Sequence, residues 1–124
     1  MTKMKIIKIG NITVSLLKKE TKITKAYEIL DIMATTRYNE DCDKVGMIIH
    51  EESLGEKFFD LKTRFAGELL QKFSNYNMSL IIVGDFSKYT SKSLQDFIRE
   101  CNRGNQIFFL PSVEDGIAKY ENMC

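Results

Sequence analysis

The chain has 124 residues, 44% of them hydrophobic and 28% charged, and a net charge of +1 at pH 7. This length fits a single α/β domain over residues 1–124, and the apolar share is sufficient for a core, which excludes an intrinsically disordered chain. A charge so close to zero argues against general nucleic-acid binding, which depends on a basic surface.

Two β-rich runs open the chain at residues 5–9 and 12–17, and the pair Gly10–Asn11 lies between them. Gly and Asn tolerate the backbone angles of tight hairpin turns, so this pattern predicts an antiparallel β-hairpin. A helix is expected over residues 24–38, because the Thr24 hydroxyl can accept a hydrogen bond from the first turn and apolar residues follow at helical spacing.

Strands and helices then alternate to the end of the chain. Residues 45–49, 78–83 and 107–110 are short apolar runs, typical of strands covered on both faces. Apolar periodicity predicts one long helix at residues 58–76 and another at residues 91–102. The spacing of Ser112 and Asp115 matches a capping box and predicts a short final helix.

The predicted element order is therefore β-β-α-β-α-β-α-β-α. It corresponds to an α/β fold in which an N-terminal β-hairpin leads into a mostly parallel five-stranded sheet with four helices. The residues expected in the central sheet are Ile48, Ile49, Ile81, Ile82, Phe108 and Phe109.

Cysteine and histidine usage bears on the compartment and on metal binding. Cys42, Cys101 and Cys124 are odd in number and widely spaced, which favours reduced thiols in a cytosol. One histidine and no Cys-x-x-Cys pair provide too few ligands for zinc, so no metal or cofactor is expected. No run is apolar enough for a signal peptide or a membrane span, and we expect a cytoplasmic protein.

Candidate binding residues follow the predicted strands, because ligands gather at the carboxyl ends of parallel strands. The first group is His50 and Ser53. Hydrolysis by a Ser53–His50 pair is disfavoured, since no Gly-x-Ser-x-Gly turn is present. The alternatives are a polar turn, or an exposed Ser53 hydroxyl ahead of a helix that serves as a phosphorylation site.

The second group follows Gly84 and consists of Asp85, Ser87, Lys88 and Ser91. These residues could cradle an anion at a helix N-terminus, but the glycine patterns of dinucleotide and P-loop sites are absent. We expect instead that Asp85 is mainly structural and ties this loop to the loop of His50 and Ser53. Thr90 or Ser91 is expected to cap the following helix.

Charge and helix patterns both bear on association. Residues 1–25 hold seven lysines and one glutamate, whereas residues 26–60 hold three basic and nine acidic residues. These stretches form two solvated faces, or complementary surfaces of a dimer, or a surface that steers a charged partner. Gly67, in the middle of the long helix, costs about 1 kcal/mol relative to alanine, so we expect the first helix or a partner subunit to approach it closely. We predict a homodimer, with interface candidates Asp60, Arg64, Gly67 and Gln71.

Several runs carry a family resemblance: residues 58–63 (Phe-Phe-Asp-Leu-Lys-Thr), residues 66–73 (Ala-Gly-Glu-Leu-Leu-Gln-Lys-Phe), residues 84–89 (Gly-Asp-Phe-Ser-Lys-Tyr) and residues 96–100 (Asp-Phe-Ile-Arg-Glu). Together with Asn102 and Gly104, they resemble the bacterial family catalogued as domain of unknown function 4180. That family has no assigned activity, so the resemblance implies no catalytic residue.

The element order is more remotely similar to the STAS domains of anti-sigma-factor antagonists. That resemblance implies a module that binds partner proteins and is switched by phosphorylation of a residue before its second helix. Ser53 lies near the corresponding position, although the Asp-Ser-Ser-Gly or Asp-Ser-Thr-Gly signature is absent.

These observations favour a non-enzymatic regulatory or protein-interaction module of a bacterial cytosol, which acts through a protein partner. The alternative is a small-ligand or nucleotide-binding protein, or an enzyme, that uses the strand ends around Asp85. A deep pocket with converging polar side chains at residues 84–91 would favour the alternative, whereas a flat apolar or charged face would favour the interaction module.

Overall fold

The structure is a computed structural model that describes residues 4–38 and 44–123. The strands are β1 (Met4–Ile9), β2 (Ile12–Leu17), β3 (Lys44–His50), β4 (Ser79–Val83) and β5 (Ile107–Leu110). The α-helices are α1 (Ile29–Tyr38), α2 (Glu51–Phe59), α3 (Phe65–Asn75), α4 (Lys92–Arg103) and α5 (Val113–Asn122). Two 3₁₀ turns, Ala26–Glu28 and Leu61–Thr63, precede α1 and α3.

The five strands form one sheet in the order β1-β2-β3-β4-β5. β1 and β2 pair antiparallel around Gly10, whose φ of 60° suits the first central position of a two-residue hairpin turn. The other three pairs are parallel. The predicted α/β fold, with its hairpin and mostly parallel sheet, is confirmed, and the structure adds a fifth helix.

Each face of the sheet has its own hydrophobic core. Because successive right-handed crossovers step in one direction, α1 to α4 pack on the same face and share a core with Met47 and Ile49. The opposite face, which includes Ile48, packs against α5 and the buried Tyr120. The six isoleucine and phenylalanine residues expected in the central sheet all lie in β3, β4 or β5 and are buried.

The expected long helix at residues 58–76 is wrong in detail, because the chain breaks between α2 and α3. Asp60 is extended and accepts a hydrogen bond from the Lys62 N–H, and Arg64 adopts a left-handed conformation with φ 65°. Thr63 donates to the Lys57 carbonyl and accepts from the Phe65 N–H, which closes the turn. The apolar periodicity continues across the break because both helices face the same core.

The first helix also begins later than expected. Thr24 does not cap it as an acceptor, because its hydroxyl donates to the Glu28 carboxylate. The Thr24 and Lys25 N–H groups donate to the same carboxylate at 2.8 and 3.1 Å. These bonds hold the pKa of Glu28 below its usual value. Among the helices within residues 4–38 and 44–123, none is long and apolar enough to span a membrane.

Candidate functional site

The carboxyl ends of β3 and β4 bring together the two segments singled out in the sequence, of which residues 50–53 form the end of β3 and the start of α2 and not a loop. Except for Ser91, their residues have different roles from those expected. Ser53 is only 2% exposed. Its hydroxyl lies 3.3 Å from the carbonyl oxygens of Lys18 and Lys19, to which it donates. The expectation of an exposed Ser53 hydroxyl is wrong, because this side chain anchors the loop that follows β2.

Asp85 does not tie the two loops together. It is exposed, and its carboxylate accepts hydrogen bonds from the Ser87 N–H at 3.1 Å and from the Ser87 hydroxyl at 2.6 Å. These two bonds hold its pKa below the usual value. The expected link through Asp85 is therefore corrected: its hydrogen bonds close a local turn within its own loop.

The residue that joins the two segments is Glu51, the first residue of α2. Its side chain is only 10% exposed, and its carboxylate forms an ion pair with the Lys88 ammonium at 2.7 Å. The Tyr89 hydroxyl donates a hydrogen bond to the same carboxylate. We call Glu51, Lys88 and Tyr89 the rim clamp, because they hold the loop after β4 against the start of α2.

Strand register places Glu51 at this position. His50 is aligned with Val83, so the next residues along the two parallel strands, Glu51 and Gly84, lie side by side. A Cβ atom on Gly84 would lie 2.5 Å from Glu51 Oε1 and 2.6 Å from Glu51 Cβ. Glycine at residue 84 therefore makes room for the buried carboxylate.

Aromatic packing supports the clamp from the helix side. The ring of Tyr89 stacks on Phe59 with centroids 4.7 Å apart, and Phe86 packs edge-on against Phe109 at 5.2 Å. Stacked and edge-on aromatic pairs add about 0.5–1.5 kcal/mol beyond area burial. The clamp is thus continuous with the hydrophobic core and is held in one geometry.

The electrostatics of the clamp favour a structural role over catalysis. The hydrogen bond to Glu51 raises the pKa of Lys88, and burial raises the pKa of Tyr89, so both groups keep their protons at neutral pH. A protonated lysine paired with a carboxylate is a poor nucleophile. In the described part of the chain, every buried side-chain nitrogen or oxygen has a hydrogen-bond partner.

His50 is the last residue of β3 and is half-buried. Burial lowers its pKa below the usual 6.5, and the nearby Lys19 ammonium acts in the same direction. We expect NMR titration of this single imidazole to give a pKa below 6.5. The unfolded chain then binds a proton first as the pH falls through 6.5, so folding stability should decrease toward acid pH and level off below the folded-state pKa.

That loss of stability should be absent in His50→Gln, which carries no titrating ring. Denaturant titrations of both proteins at pH 7.5 and 5 provide the comparison. A folded-state pKa at or above 6.5, or an equal acid loss in both proteins, would contradict the prediction.

The remaining candidates of the second loop have local roles. Ser91 caps α4, as expected, because its hydroxyl accepts a hydrogen bond from the Leu94 N–H at 3.2 Å. Ser87 donates to Asp85, and Lys88 belongs to the rim clamp. None of these contacts forms the anion cradle that the sequence left open.

The interface candidates are exposed but lack the expected neighbour. Asp60, Arg64, Gly67 and Gln71 all face solvent, and a Cβ atom on Gly67 would meet no atom within 4 Å. The expectation that the first helix packs closely on Gly67 is therefore wrong. The reason is that Gly67 and Gln71 lie on the outer surface of α3, opposite the core residues Leu69 and Phe73, and the exposed Arg64 precedes the helix as its N-cap residue.

A groove runs beside this stripe, between the 3₁₀ turn at Ala26–Glu28 and α3. It has a volume of about 440 Å³, and Tyr27, which is 61% exposed, lies along it. Its charged lining consists of Lys25, Lys57, Lys72 and Glu68. We call it the Tyr27 groove.

Sequence reasoning missed both Glu51 as the buried acid and the Tyr27 groove. Alternation along β3 could have indicated that Glu51 is buried. Every second residue of a strand lies on the same face, Met47 and Ile49 face the helix layer, and residue 51 is the next position on that face. No local pattern could have indicated the groove, since its lining comes from three separate elements of the chain. Within the described residues, no group of three or more His, Cys, Asp or Glu side chains could hold a metal ion; Cys42 and Cys124 lie outside these residues.

One known family, described as "Domain of unknown function (DUF4180)", matches residues 9–120. The chain belongs to this family. The match includes the rim clamp of this DUF4180 domain and all the elements from β2 to α5 except the last residues of α5. Neither a curated protein nor a solved structure is significantly similar to the chain.

Proposed function

We propose that this DUF4180 domain is a non-enzymatic protein-interaction module, which binds an acidic segment of a partner protein in the Tyr27 groove. The observation that carries this proposal is the exposed Tyr27 ring in a groove lined by three lysines and one glutamate. Tyrosine is enriched among the residues that contribute most binding energy at protein interfaces.

The lysines of the groove support an acidic occupant. Lys25 Nζ lies 5.8 Å from the centroid of the Tyr27 ring, and Lys57 Nζ lies 5.1 Å from that of Phe65. A partner carboxylate can pair with these ammonium groups while an apolar side chain packs on the exposed Tyr27 ring. Such a surface steers acidic segments and disfavours basic ones.

The alternative, a ligand-binding protein or enzyme using the strand ends around Asp85, has less support. The side chains of Glu51, Phe86 and Tyr89 occupy that region: Tyr89 bonds to Glu51, and the Phe86 and Tyr89 rings both pack against Phe59. The odd number of cysteines favours a cytoplasmic location for the proposed module. Regulation of the kind found in STAS domains would need a site other than Ser53, since its hydroxyl is buried.

The probe for this proposal is the peptide acetyl-Glu-Glu-Leu-Glu-Glu-amide, with the lysine analogue as its charge control. We expect the acidic peptide to shift the amide resonances around Tyr27 and Lys72, and the lysine analogue to leave them unchanged. Tyr27→Ala should weaken binding at least tenfold, as is typical of a central aromatic contact.

Tyr76→Ala is the matched control, because Tyr76 is also an exposed tyrosine, at 52%, but does not line the groove. The affinity of this variant for the acidic peptide should stay within twofold of that of the parent. Equal losses in the two tyrosine variants, or shifts that map elsewhere, would overturn the proposal. Changes in the amide resonances of the groove that grow with protein concentration in the absence of peptide would show that a second copy of the chain binds there, as in the predicted homodimer.

A further inference from the structure

The two edges of the sheet differ in how their outward backbone N–H and C=O groups are bonded. At the β5 edge, the Asn102 carboxamide donates to the Phe109 carbonyl at 3.2 Å and accepts from the Phe109 N–H at 2.7 Å. The Asn102 side chain thus hydrogen-bonds to both backbone groups that Phe109 directs away from β4. β1 forms the other edge, and its only strand neighbour in the described residues is β2.

Hairpin geometry identifies the backbone groups that β1 presents outward. Ile9 and Ile12 flank the two-residue turn, and the flanking residues of such a turn bond to each other. Because bonded and non-bonded pairs alternate along antiparallel strands, Met4, Ile6 and Lys8 direct their N–H and C=O groups away from β2. These groups can pair with another extended segment.

Side chains around this edge indicate the chemistry of that segment. Lys5, Lys8 and Lys18 are exposed, and none of the ion pairs among the described residues involves them. Beside the strand, a groove of about 560 Å³ is lined by Met4, Ile6 and Thr35, together with two of these lysines. The edge therefore combines open backbone positions, an apolar groove and unopposed positive charge.

We propose that β1 is a second docking site, where an extended acidic segment of a partner protein adds as a sixth strand. Backbone hydrogen bonds provide affinity in strand addition, and side chains provide specificity. Charge complementarity selects an acidic partner over a second copy of the chain, since pairing β1 with itself would gather four lysines at one seam. The proposal is independent of the Tyr27 groove, which lies between the 3₁₀ turn and α3.

The probe is the peptide acetyl-Thr-Glu-Val-Val-Glu-Thr-amide, whose glutamates have the same three-residue spacing as Lys5 and Lys8. At saturation, we expect hydrogen exchange of the Ile6 and Lys8 amides to slow at least tenfold, because these groups become bonded to the peptide. Lys5→Glu and Lys8→Glu should each weaken binding at least fivefold. Lys62→Glu, which changes an exposed lysine away from the edge, should stay within twofold of the parent.

Two N-methylated forms of this peptide distinguish strand addition from charge attraction. Each form is methylated at every second backbone amide, and the two forms cover the two alternate sets. Only one set faces β1, so one methylated peptide should lose binding and the other should retain it. Equal binding of both methylated peptides, or unchanged exchange at Ile6 and Lys8, would overturn the proposal. Protection of these amides that appears without peptide and increases with protein concentration would assign the edge to a second copy and also overturn it.

Discussion

Gly46→Ala should lower the free energy of unfolding by about 3 kcal/mol, because overpacking and the loss of a buried hydrogen bond add together. The new Cβ atom would lie 2.5 Å from the hydroxyl oxygen of Tyr120 and 2.6 Å from its Cζ. Tyr120 cannot move aside freely, since it is fully buried and its hydroxyl lies 3.2 Å from the nitrogen and oxygen of Met47 and from the Ser79 hydroxyl.

Gly67→Ala is the matched control for this prediction. The chemical change is the same, but the position is exposed, lies inside α3 and has open space around it. Alanine should therefore raise the free energy of unfolding by up to about 1 kcal/mol through helix propensity. Denaturant titration of both variants measures the difference. Similar effects at the two positions would show that the contact between Gly46 and Tyr120 is not tight.

Glu51→Ala should lower the free energy of unfolding by about 2–3 kcal/mol. Hydrogen bonds to charged groups contribute about 1.5–3 kcal/mol each, and removing this carboxylate leaves the half-buried Tyr89 hydroxyl without its acceptor. The Lys88 ammonium contributes less to the loss, because its side chain is 55% exposed and water can solvate it. Glu51→Gln, which keeps an acceptor oxygen but no charge, should lower the free energy of unfolding by less than Glu51→Ala does.

Two control substitutions make the Glu51 prediction specific. Glu52→Ala changes the exposed neighbour of Glu51, and its free energy of unfolding should stay within about 0.5 kcal/mol of that of the parent. Asp85→Ala should melt close to the parent, because Asp85 bonds only within its own exposed turn. A double-mutant cycle with Tyr89→Phe isolates the coupling across the clamp. If Asp85→Ala were as damaging as Glu51→Ala, the assignment of the clamp would be wrong.

The clamp and the two proposed docking surfaces lie in different parts of the domain. The strand ends, where open α/β proteins commonly bind ligands, are occupied by Glu51 and the aromatic side chains around it. The surfaces proposed for binding are lateral: the Tyr27 groove on the helix layer and the β1 edge of the sheet. Both present lysines, so both proposals involve acidic partners.

Elements that depend on local periodicity and turn chemistry can be predicted from the sequence alone. The Gly10–Asn11 turn, the buried strands and the Ser91 and Ser112 caps were all predictable, since each depends on residues within a few positions of one another. Family membership was also predictable, because it rests on contiguous runs of sequence.

The local sequence does not indicate which acidic residue is buried or which glycines have no room for a side chain; the packing of the elements sets both. Asp85 and Glu51 both follow a buried strand, but the register between β3 and β4 sets Glu51 beside Gly84 and leaves Asp85 in solvent. The long helix breaks at residues 60–64 through local hydrogen bonds of the Asp60 and Thr63 side chains, which apolar spacing does not encode. The burial of Glu51 and the confinement of Gly84 and Gly46, in contrast, depend on contacts between elements far apart in the chain, and local propensity carries no information about such contacts.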